Sequence, residues 1–308
     1  MKKNKFLFCI GLLLTVATIV NAQSVTWISS TEGNVWQKSK VKLQSKSEQN
    51  PVLQVDGTEN GVAFKNWGTT FNELCWDALG LLTRTEQDEI LYNIFSPQGD
   101  LRITRGRISM GANDYARSWY SCDEVEGDFE LRYFNINRDK QTIIPFIRAA
   151  QKYNPNLTFW ISPWCPPSWM KINGDYPVLS SPFNSLSEKQ NYLLYGATGG
   201  QVDENEMKLT GARDGVFPRQ LATTDFMIQD PRYLQTYADY FCRFIDAYKE
   251  QGIPIDMVMY QNEAYSYTPY PGCAWTATGT IRFNKEYLAP TLRQMRSEEH
   301  TSELQSLV

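Results

Sequence analysis

Asn262 and Glu263 are the two residues of this sequence whose types and position most directly suggest chemistry. They follow the apolar stretch at residues 255–260 and precede AYSYTPYPGCAWT, a segment of aromatic residues, prolines and a glycine at 264–276. A carboxylic acid at a strand end that faces aromatic rings is suited to protonating the oxygen between two sugars. That chemistry needs a second carboxyl group, so Glu263 requires a partner.

Composition excludes several classes of protein. The chain has 308 residues, of which 42% are hydrophobic and 21% charged, as expected for a soluble globular protein of one large or two smaller domains. The formal net charge of -4 provides no basic surface for nucleic acid. The 9 Trp and 17 Tyr residues exceed what a core alone requires, which favours a binding surface lined with rings.

The N-terminus has the pattern of a signal peptide at residues 1–22. Lys2, Lys3 and Lys5 precede the apolar run FLFCIGLLLTVATIV, and VNA offers a small residue at position 22 for cleavage. A membrane anchor is the alternative, but the run is shorter than the roughly 20 residues that a bilayer span needs. We therefore expect a secreted or periplasmic protein without a membrane span.

Five cysteines follow the predicted signal peptide, namely Cys75, Cys122, Cys165, Cys242 and Cys273. They show no CxxC pairing and no metal-ligand spacing, and an odd number cannot close completely into intramolecular disulfides. We expect buried free thiols, and one bridge remains possible.

Residues 296–306 read RSEEHTSELQS, which resembles the translation of a common sequencing-library adapter. We therefore expect the natural sequence to end near Met295, with 296–308 a non-native tail and the reading frame truncated; a polar helix end is the alternative. His300, the only histidine, lies in this tail, which excludes His-based nucleophile and zinc sites from the remainder. Phosphate-loop and dinucleotide motifs are absent. We expect no cofactor and no metal, which leaves carboxylate chemistry.

Strand and helix patterns alternate along the chain. Short apolar runs predict four strands, at 61–67, 101–110, 157–162 and 255–260. Helical spacing predicts three helices, one capped by Thr85 and ending at Ile94, and two at 138–153, with Pro145 at a kink or in the first turn, and 231–250, with Gly252 just past its end. Residues 24–60 contain the β-like pieces SVTWISS and VLQV, and 173–229 is expected to be mostly loop.

This alternation predicts an α/β fold with a parallel sheet and covering helices. Polar and aromatic clusters follow the strands at their carboxyl ends, where a (β/α)₈ TIM barrel holds its active site. Four βα units are half of such a barrel. A doubly wound sheet is the structural alternative.

Five segments together resemble glycoside hydrolase family 30, the glucosylceramidase-like family that includes bacterial and fungal β-1,6-glucanases. They are WGTTFNELCWDAL, RGRISMGANDY, GDFELRYFNINRDKQTIIPFI, FWISPWCPPSWMK and MYQNEAYSY. Ala264 stands where the family usually has proline after Asn-Glu. The resemblance implies a (β/α)₈ barrel, half of it at 61–295, with a β-sandwich side domain that residues 23–60 begin.

The resemblance also implies roles for individual residues in a retaining mechanism. Glu263 matches the general acid/base, and the nucleophile is a glutamate after the seventh strand, beyond the expected end of the sequence. Asn262 is placed to bind the sugar 2-hydroxyl, and Arg107 to orient the carboxylates. The remaining expected substrate-binding residues are Asn113, Asp114, Trp164, Trp169, Tyr265 and Trp275, with Tyr265, Tyr267 and Trp275 forming an apolar wall beside the acid.

Each role has a structural alternative. Glu263 is otherwise a surface-loop glutamate, and Arg107 a member of a structural ion pair. Asn113 and Asp114 suit a turn or a helix cap, and the tryptophans suit the core.

We expect a secreted retaining β-glycosidase, monomeric when complete, that acts on a β-linked glucan or another β-glycoside. The GDFELRYFNINRD segment favours the bacterial β-1,6-glucanase branch, while glucosylceramidase or xylanase specificity stays open. A noncatalytic carbohydrate-binding protein and a structural surface protein are the alternatives outside the enzyme class. Because half a barrel leaves strand edges and apolar helix faces uncovered, we expect the 308-residue chain itself to be inactive.

Overall fold

The computed structural model describes residues 24–42, 66–186 and 225–296. The chain divides into two compact units, residues 1–63 and 64–308, and each is described by itself. The predicted signal peptide and residues 297–308 lie outside the described residues.

The first unit contains an antiparallel hairpin. Strand β1 (Ser24–Thr31) pairs with β2 (Asn34–Lys42) across a turn in which Gly33 has φ 77°. The SVTWISS strand was predicted, whereas β2 was not, because its NVWQKSKVK sequence lacks a continuous apolar run. The predicted VLQV piece lies outside the described residues, and the assignment of this region to a side domain stays a prediction.

The second unit is built on a four-stranded parallel sheet. Its strands are β3 (Gly68–Phe71), β4 (Arg105–Ser109), β5 (Thr158–Ser162) and β6 (Ile255–Val258). Their spatial order is β3-β4-β5-β6, so every strand lies beside the one that precedes it along the chain. This order continues in one direction, as in a (β/α) barrel, whereas a doubly wound sheet reverses direction. The predicted parallel α/β sheet is confirmed, and it fits part of a barrel.

The strands are shorter than their apolar runs. The first strand was predicted at 61–67, but Asn66 and Trp67 are not in a strand and β3 begins at Gly68; residues 61–65 lie outside the described part. The reason is pairing, since Gly68 is the first residue in register with Arg105 of β4. The other three strands fall within the predicted runs.

Helices follow the strands and begin at capping side chains. Asn72 caps α1 (Glu73–Gly80), and Thr83 forms a capping box with Glu86 at the start of α2 (Arg84–Phe95), so the predicted cap at Thr85 was two residues late. The other α-helices in the described ranges are α3 (Ile143–Gln151), α4 (Pro231–Glu250) and α5 (Ala277–Arg282), and a π-helical turn (Phe283–Leu288) follows α5.

The predicted helix at 231–250 is confirmed, with Asp230 as its cap and Gly252 at φ 66° beyond its end. The helix predicted over 138–153 begins at Ile143, after a 3₁₀ turn, and holds Pro145 in its first turn, where proline is tolerated. Of the helices in the described ranges, none is long and apolar enough to cross a membrane.

The core lies between the sheet and its helices. Phe71, Ile108, Phe159 and Ile161 are fully buried on the helix-facing side of the sheet. Gly106 leaves room for two of these rings, because a Cβ there would lie 2.5 Å from Phe71. Strand alternation puts Arg105, Arg107 and Ser109 on the opposite face, the one that lines a barrel interior.

None of the five cysteines is in a disulfide. Cys122, Cys165 and Cys273 are buried as expected, whereas Cys242 is partly exposed and Cys75 is exposed. Of the loop predicted at 173–229, residues 173–186 and 225–229 are described, and they form turns and isolated bridges.

Candidate active site

The carboxyl ends of three strands bring together the residues that the sequence singled out. Arg107 of β4 donates from Nη2 to the Oδ1 atom of Asn262 at 2.6 Å and to the Oγ atom of Ser162 at 3.1 Å. Asn262 follows β6, and its backbone N–H donates to the carbonyl of Pro163 at 2.8 Å. The Asn-Glu pair is therefore tied to β4 and to the segment after β5, as expected at one edge of a parallel sheet.

Arg107 is held between aromatic rings. Its guanidinium carbon lies 4.1 Å from the ring centroid of Trp164 and 5.0 Å from that of Trp160, within the range of cation–π contacts. Burial lowers the pKa of Arg107, while the negative charges of Asp114 and Glu263 act in the opposite direction. The positive charge of Arg107 therefore interacts with both carboxylates.

Glu263 has an unusual backbone conformation. Its φ is 50°, in the left-handed region that residues other than glycine rarely adopt. Ser266 N–H donates to its carbonyl at 2.9 Å and closes a turn directly after the Asn-Glu pair. The side chain is exposed. Strained backbone of this kind clusters at functional sites, and here it turns the chain so that a carboxylate reaches the surface at the strand end.

A surface depression surrounds this carboxylate. Its lining consists of Asn262, Glu263, Ser266, Thr268, Tyr270, Pro271 and Gly272. Burial raises the pKa of Tyr270, and the charges of Glu263 and Asp114 raise it further, so the neutral phenol lies near both acids. Tyr270 is not among the site residues expected from the sequence. Tyr270 lies in the aromatic loop after Glu263, which could have marked it as a site residue. That loop has no periodicity, so its sequence does not distinguish aromatic residues at the surface from those in the core.

Trp275 is a correction to the expected substrate-binding set. Its ring is fully buried, stacks on Phe283 with centroids 5.3 Å apart, and donates from Nε1 to Gln261. Tyr267 is also buried, at 1% exposure. Of the three rings expected to form a wall beside the acid, only Tyr265 is exposed, at 43%.

The two tryptophans of the PWCPPSW segment have packing roles. Trp169 is buried in an edge-to-face contact with Phe129, and its Nε1 donates to the carbonyl of Asp123 at 3.1 Å. Trp164 is 7% exposed, with its ring beneath the guanidinium of Arg107. The core alternative therefore describes Trp169, and Trp164 supports Arg107 instead of presenting a free face.

Asn113 and Asp114 differ from each other. Asn113 is 2% exposed, and its side chain accepts from Tyr115 N–H and donates to the carbonyl of Gly111, which is a turn role. Asp114 is exposed and close enough to Arg107 and Tyr270 to affect the pKa of each. Only Asp114 has a side chain available to a ligand.

Glu73 is an acid in the interior with a structural role. Glu73 is fully buried, and its carboxylate accepts two hydrogen bonds from Arg138, at 2.9 and 2.6 Å, and one from Arg117 N–H. Burial alone would raise the pKa of Glu73, but these bonds and the Arg138 charge lower it overall. The network attaches the end of β3 to the turn before α3. Across the described ranges, no group of three or more His, Cys, Asp or Glu side chains could hold a metal ion.

Comparison with known proteins agrees with this geometry. Residues 64–181 match the model of the glycosyl hydrolase family 30 TIM-barrel domain. The matched segment contains strands β3, β4 and β5 of the parallel sheet.

Relatives and a solved structure extend the family 30 match. Putative glucosylceramidase 3 of Caenorhabditis elegans is 27% identical over 299 residues, covering 92% of this chain and 48% of the relative. Endo-1,6-beta-D-glucanase neg1 of Aspergillus fumigatus is 25% identical over 252 residues, covering 80% of this chain and 45% of the relative. The endo-beta1,6-glucanase BT3312 shares the fold, with a TM-score of 0.56 and 21% identity over 86% of this chain and 48% of that one.

The family 30 match includes Arg107, Asp114 and Trp164 but ends before Asn262 and Glu263. An alignment that covers 92% of the chain does include the Asn-Glu pair. The chain spans about half the length of the curated relatives it matches.

Proposed function

We propose that this protein is a retaining β-glycoside hydrolase in which Glu263 is the general acid/base. The observation that supports this best is the Arg107–Asn262 hydrogen bond of 2.6 Å, which fixes the neighbour of an exposed glutamate at the carboxyl end of a parallel sheet. Active sites of (β/α) barrels lie at this end.

In the proposed mechanism, Glu263 donates its proton to the glycosidic oxygen as the bond to the anomeric carbon breaks. A second carboxylate attacks that carbon from the opposite face and forms a glycosyl-enzyme intermediate. Glu263, now ionised, takes a proton from water, and the resulting hydroxide equivalent displaces the carboxylate. Retaining enzymes place the two carboxyl groups roughly 5–5.5 Å apart. We propose that the nucleophile is a glutamate from a later strand of the barrel, outside the described residues.

The neighbouring residues bind the sugar in this proposal. Asn262, whose Oδ1 is occupied by Arg107, keeps its amide N–H groups for the 2-hydroxyl, a contact that strengthens in the oxocarbenium-like transition state. Asp114 accepts from another hydroxyl, and Tyr270 lines the depression beside Glu263. Tyr265 offers the exposed ring. Arg107 orients Asn262 through their hydrogen bond, and its charge interacts with Asp114 and Glu263.

We propose a β-linked glucan as the substrate, with β-1,6-glucan first and glucosylceramide or xylan as the competing specificities. The first two are the activities for which the relatives are named. Export to the periplasm or the medium and a monomeric state are part of the same proposal, from the N-terminal pattern and the family resemblance. The 308-residue chain alone is proposed not to turn over substrate, because the second carboxylate is not assigned within it.

The test uses the protein as its gene encodes it, including any segment after residue 308. Hydrolysis of β-1,6-glucan, glucosylceramide and xylan is compared for wild type, Glu263→Gln and the control Glu126→Gln, a change at an exposed loop glutamate. Glu263→Gln is expected to bind glucan with unchanged affinity and to lose turnover by at least about two orders of magnitude, which is the smallest rate contribution typical of a general acid. A carbohydrate-binding protein would show binding and no turnover in any of the three, and that result would refute the enzyme.

A further inference from the structure

Lys171 is a buried cation whose ammonium group donates to three main-chain carbonyls. The residue is 2% exposed, and Nζ donates to the carbonyls of Tyr176 at 2.7 Å, Pro177 at 3.0 Å and Gly272 at 2.8 Å. An ammonium group has three N–H donors, so all of them are satisfied. Buried lysines are rare unless paired. This one is retained by three carbonyls from two separate loops.

The two loops that meet at Lys171 have different origins. Tyr176 and Pro177 belong to the segment after β5, whereas Gly272 belongs to residues 268–272, here called the rim loop, which lines the depression beside Glu263. Gly272 N–H also donates to the carbonyl of Tyr176 at 3.0 Å. Val178 and Leu179 both donate to the carbonyl of Thr268, each at 3.0 Å. The lysine therefore sits where the rim loop is joined to its neighbour.

The rim loop is tightly packed at this junction. A Cβ on Gly272 would lie 2.6 Å from the Oγ1 atom of Thr268, a contact that real structures do not show. That Oγ1 donates in turn to the carbonyl of Tyr270 at 3.0 Å. The Gly272 carbonyl that Lys171 holds is therefore in the same tightly packed loop as Tyr270, which lines the depression together with Glu263.

We propose that Lys171 is a positioning residue for the glycosidase site: it fixes the rim loop so that Tyr270 and Glu263 face the same sugar. The inference rests on the proposed function. A methionine at 171 fills similar volume but removes the donor to the Gly272 carbonyl, whereas the Tyr176 carbonyl keeps Gly272 N–H as a donor and the Pro177 carbonyl keeps the Asn173 side-chain amide. The rim loop must then move toward water to satisfy the Gly272 carbonyl. Substrate that contacts the displaced rim loop then binds more weakly.

Two variants test the proposal in the same complete protein. Lys171→Met removes the three donors, and Gly272→Ala displaces Thr268 while leaving the lysine in place. The matched controls are Lys152→Met, at an exposed lysine, and Gly80→Ala, where an added Cβ meets nothing within 4 Å. Steady-state kinetics are measured well below each melting temperature, together with amide hydrogen exchange of residues 262–275 and of α4.

Both test variants are expected to lose kcat/KM on the order of tenfold to a hundredfold, mainly through a higher KM, as for displaced groups that position substrate. Amides of 262–275 should exchange faster while those of α4 do not change. A purely structural lysine would lower the melting temperature and the active fraction with KM unchanged, and that result overturns the proposal. If Lys171→Met does not fold, Gly272→Ala decides by the same criteria.

The proposed function can fail separately. If the wild type hydrolyses no glycoside, the enzyme assignment is lost, and the role of Lys171 in holding the rim loop is judged by exchange alone. Unchanged exchange of residues 262–275 in the folded variants would then overturn it as well.

Discussion

Replacing Arg107 by methionine should disable the site without unfolding the protein. The arginine donates to Asn262 at 2.6 Å and to Ser162 at 3.1 Å, and its guanidinium lies over Trp164. Methionine keeps much of the aliphatic volume beneath the indole but removes both hydrogen bonds and the charge. Asn262 is then free to rotate its amide away from the sugar.

The magnitude follows from the bond to Asn262. A hydrogen bond to a charged group contributes about 1.5–3 kcal/mol. If that orientation is needed only in the transition state, the loss is a factor of roughly 10 to 100 in kcat/KM, since about 1.4 kcal/mol is tenfold. The cation–π contact adds about 0.5–2 kcal/mol to folding stability. Burial of the guanidinium opposes that term, because it lowers the pKa of Arg107 by disfavouring the charged form.

The assay is glucan hydrolysis by the complete protein, with thermal melting as the check on folding. Arg107→Lys should be intermediate, because an ammonium keeps the charge but lacks the planar geometry that reaches Asn262 and Ser162 together. Arg132→Met, at an exposed ion pair with Glu130, is the matched control. A folded Arg107→Met protein whose kcat/KM stays within twofold of wild type would refute the assigned role of this arginine.

Three further predictions concern stability and the rings. Burial raises the pKa of Asp139 to about 6, so the folded state holds this proton more tightly than the unfolded chain, and stability is lost as pH rises from about 4 to 6. Because asparagine does not titrate, the unfolding free energy of Asp139→Asn in urea should gain roughly 1–3 kcal/mol relative to wild type between pH 4 and pH 7. A constant difference between the two proteins across that range would contradict this. Trp275→Ala should cost about 3–5 kcal/mol of unfolding free energy, with the KM of the folded fraction unchanged. Tyr265→Ala should raise KM and leave the melting temperature unchanged. The reverse pattern would show that Trp275 belongs to the binding surface. Gly106→Ala should lower stability by about 1–3 kcal/mol through overpacking against Phe71, and an unchanged urea midpoint would show that the ring moves freely.

The sequence predicts the elements of this fold better than their ends. Helix α4 is predicted to the residue because Asp230 and Pro231 mark its start and Gly252 its end. Strand β3 is displaced from its predicted run because GTTF has no apolar pattern of its own and is a strand only through pairing with β4. Paired residues are distant in sequence, so the local sequence of a strand does not show which residues it pairs with.

The candidate site is predicted in part for a similar reason. The Asn-Glu pair is found because strand-end placement follows from the βα alternation, and Arg107 is found through the resemblance to glycoside hydrolase family 30. The sequence does not show which aromatic residues after Glu263 are exposed and which are buried. A loop lacks the regular spacing that separates the buried face from the exposed face in a helix or a strand. Trp275 was therefore assigned to the surface and Tyr270 was overlooked. The bonds around Lys171 are also invisible in sequence, because all three of its acceptors are backbone carbonyls.

The central claim, that Glu263 donates the proton to the leaving group, is tested most directly by the dependence of Glu263→Ala on leaving-group acidity in the complete protein. An aryl glycoside with an acidic phenol departs without protonation, whereas an alkyl glycoside or the glucan requires it. We predict that Glu263→Ala loses several orders of magnitude in glycosyl transfer from the glucan and far less from the activated aryl glycoside, and that azide increases turnover of the aryl substrate by attacking the intermediate. Equal losses on both substrates, with no effect of azide, would contradict the assignment.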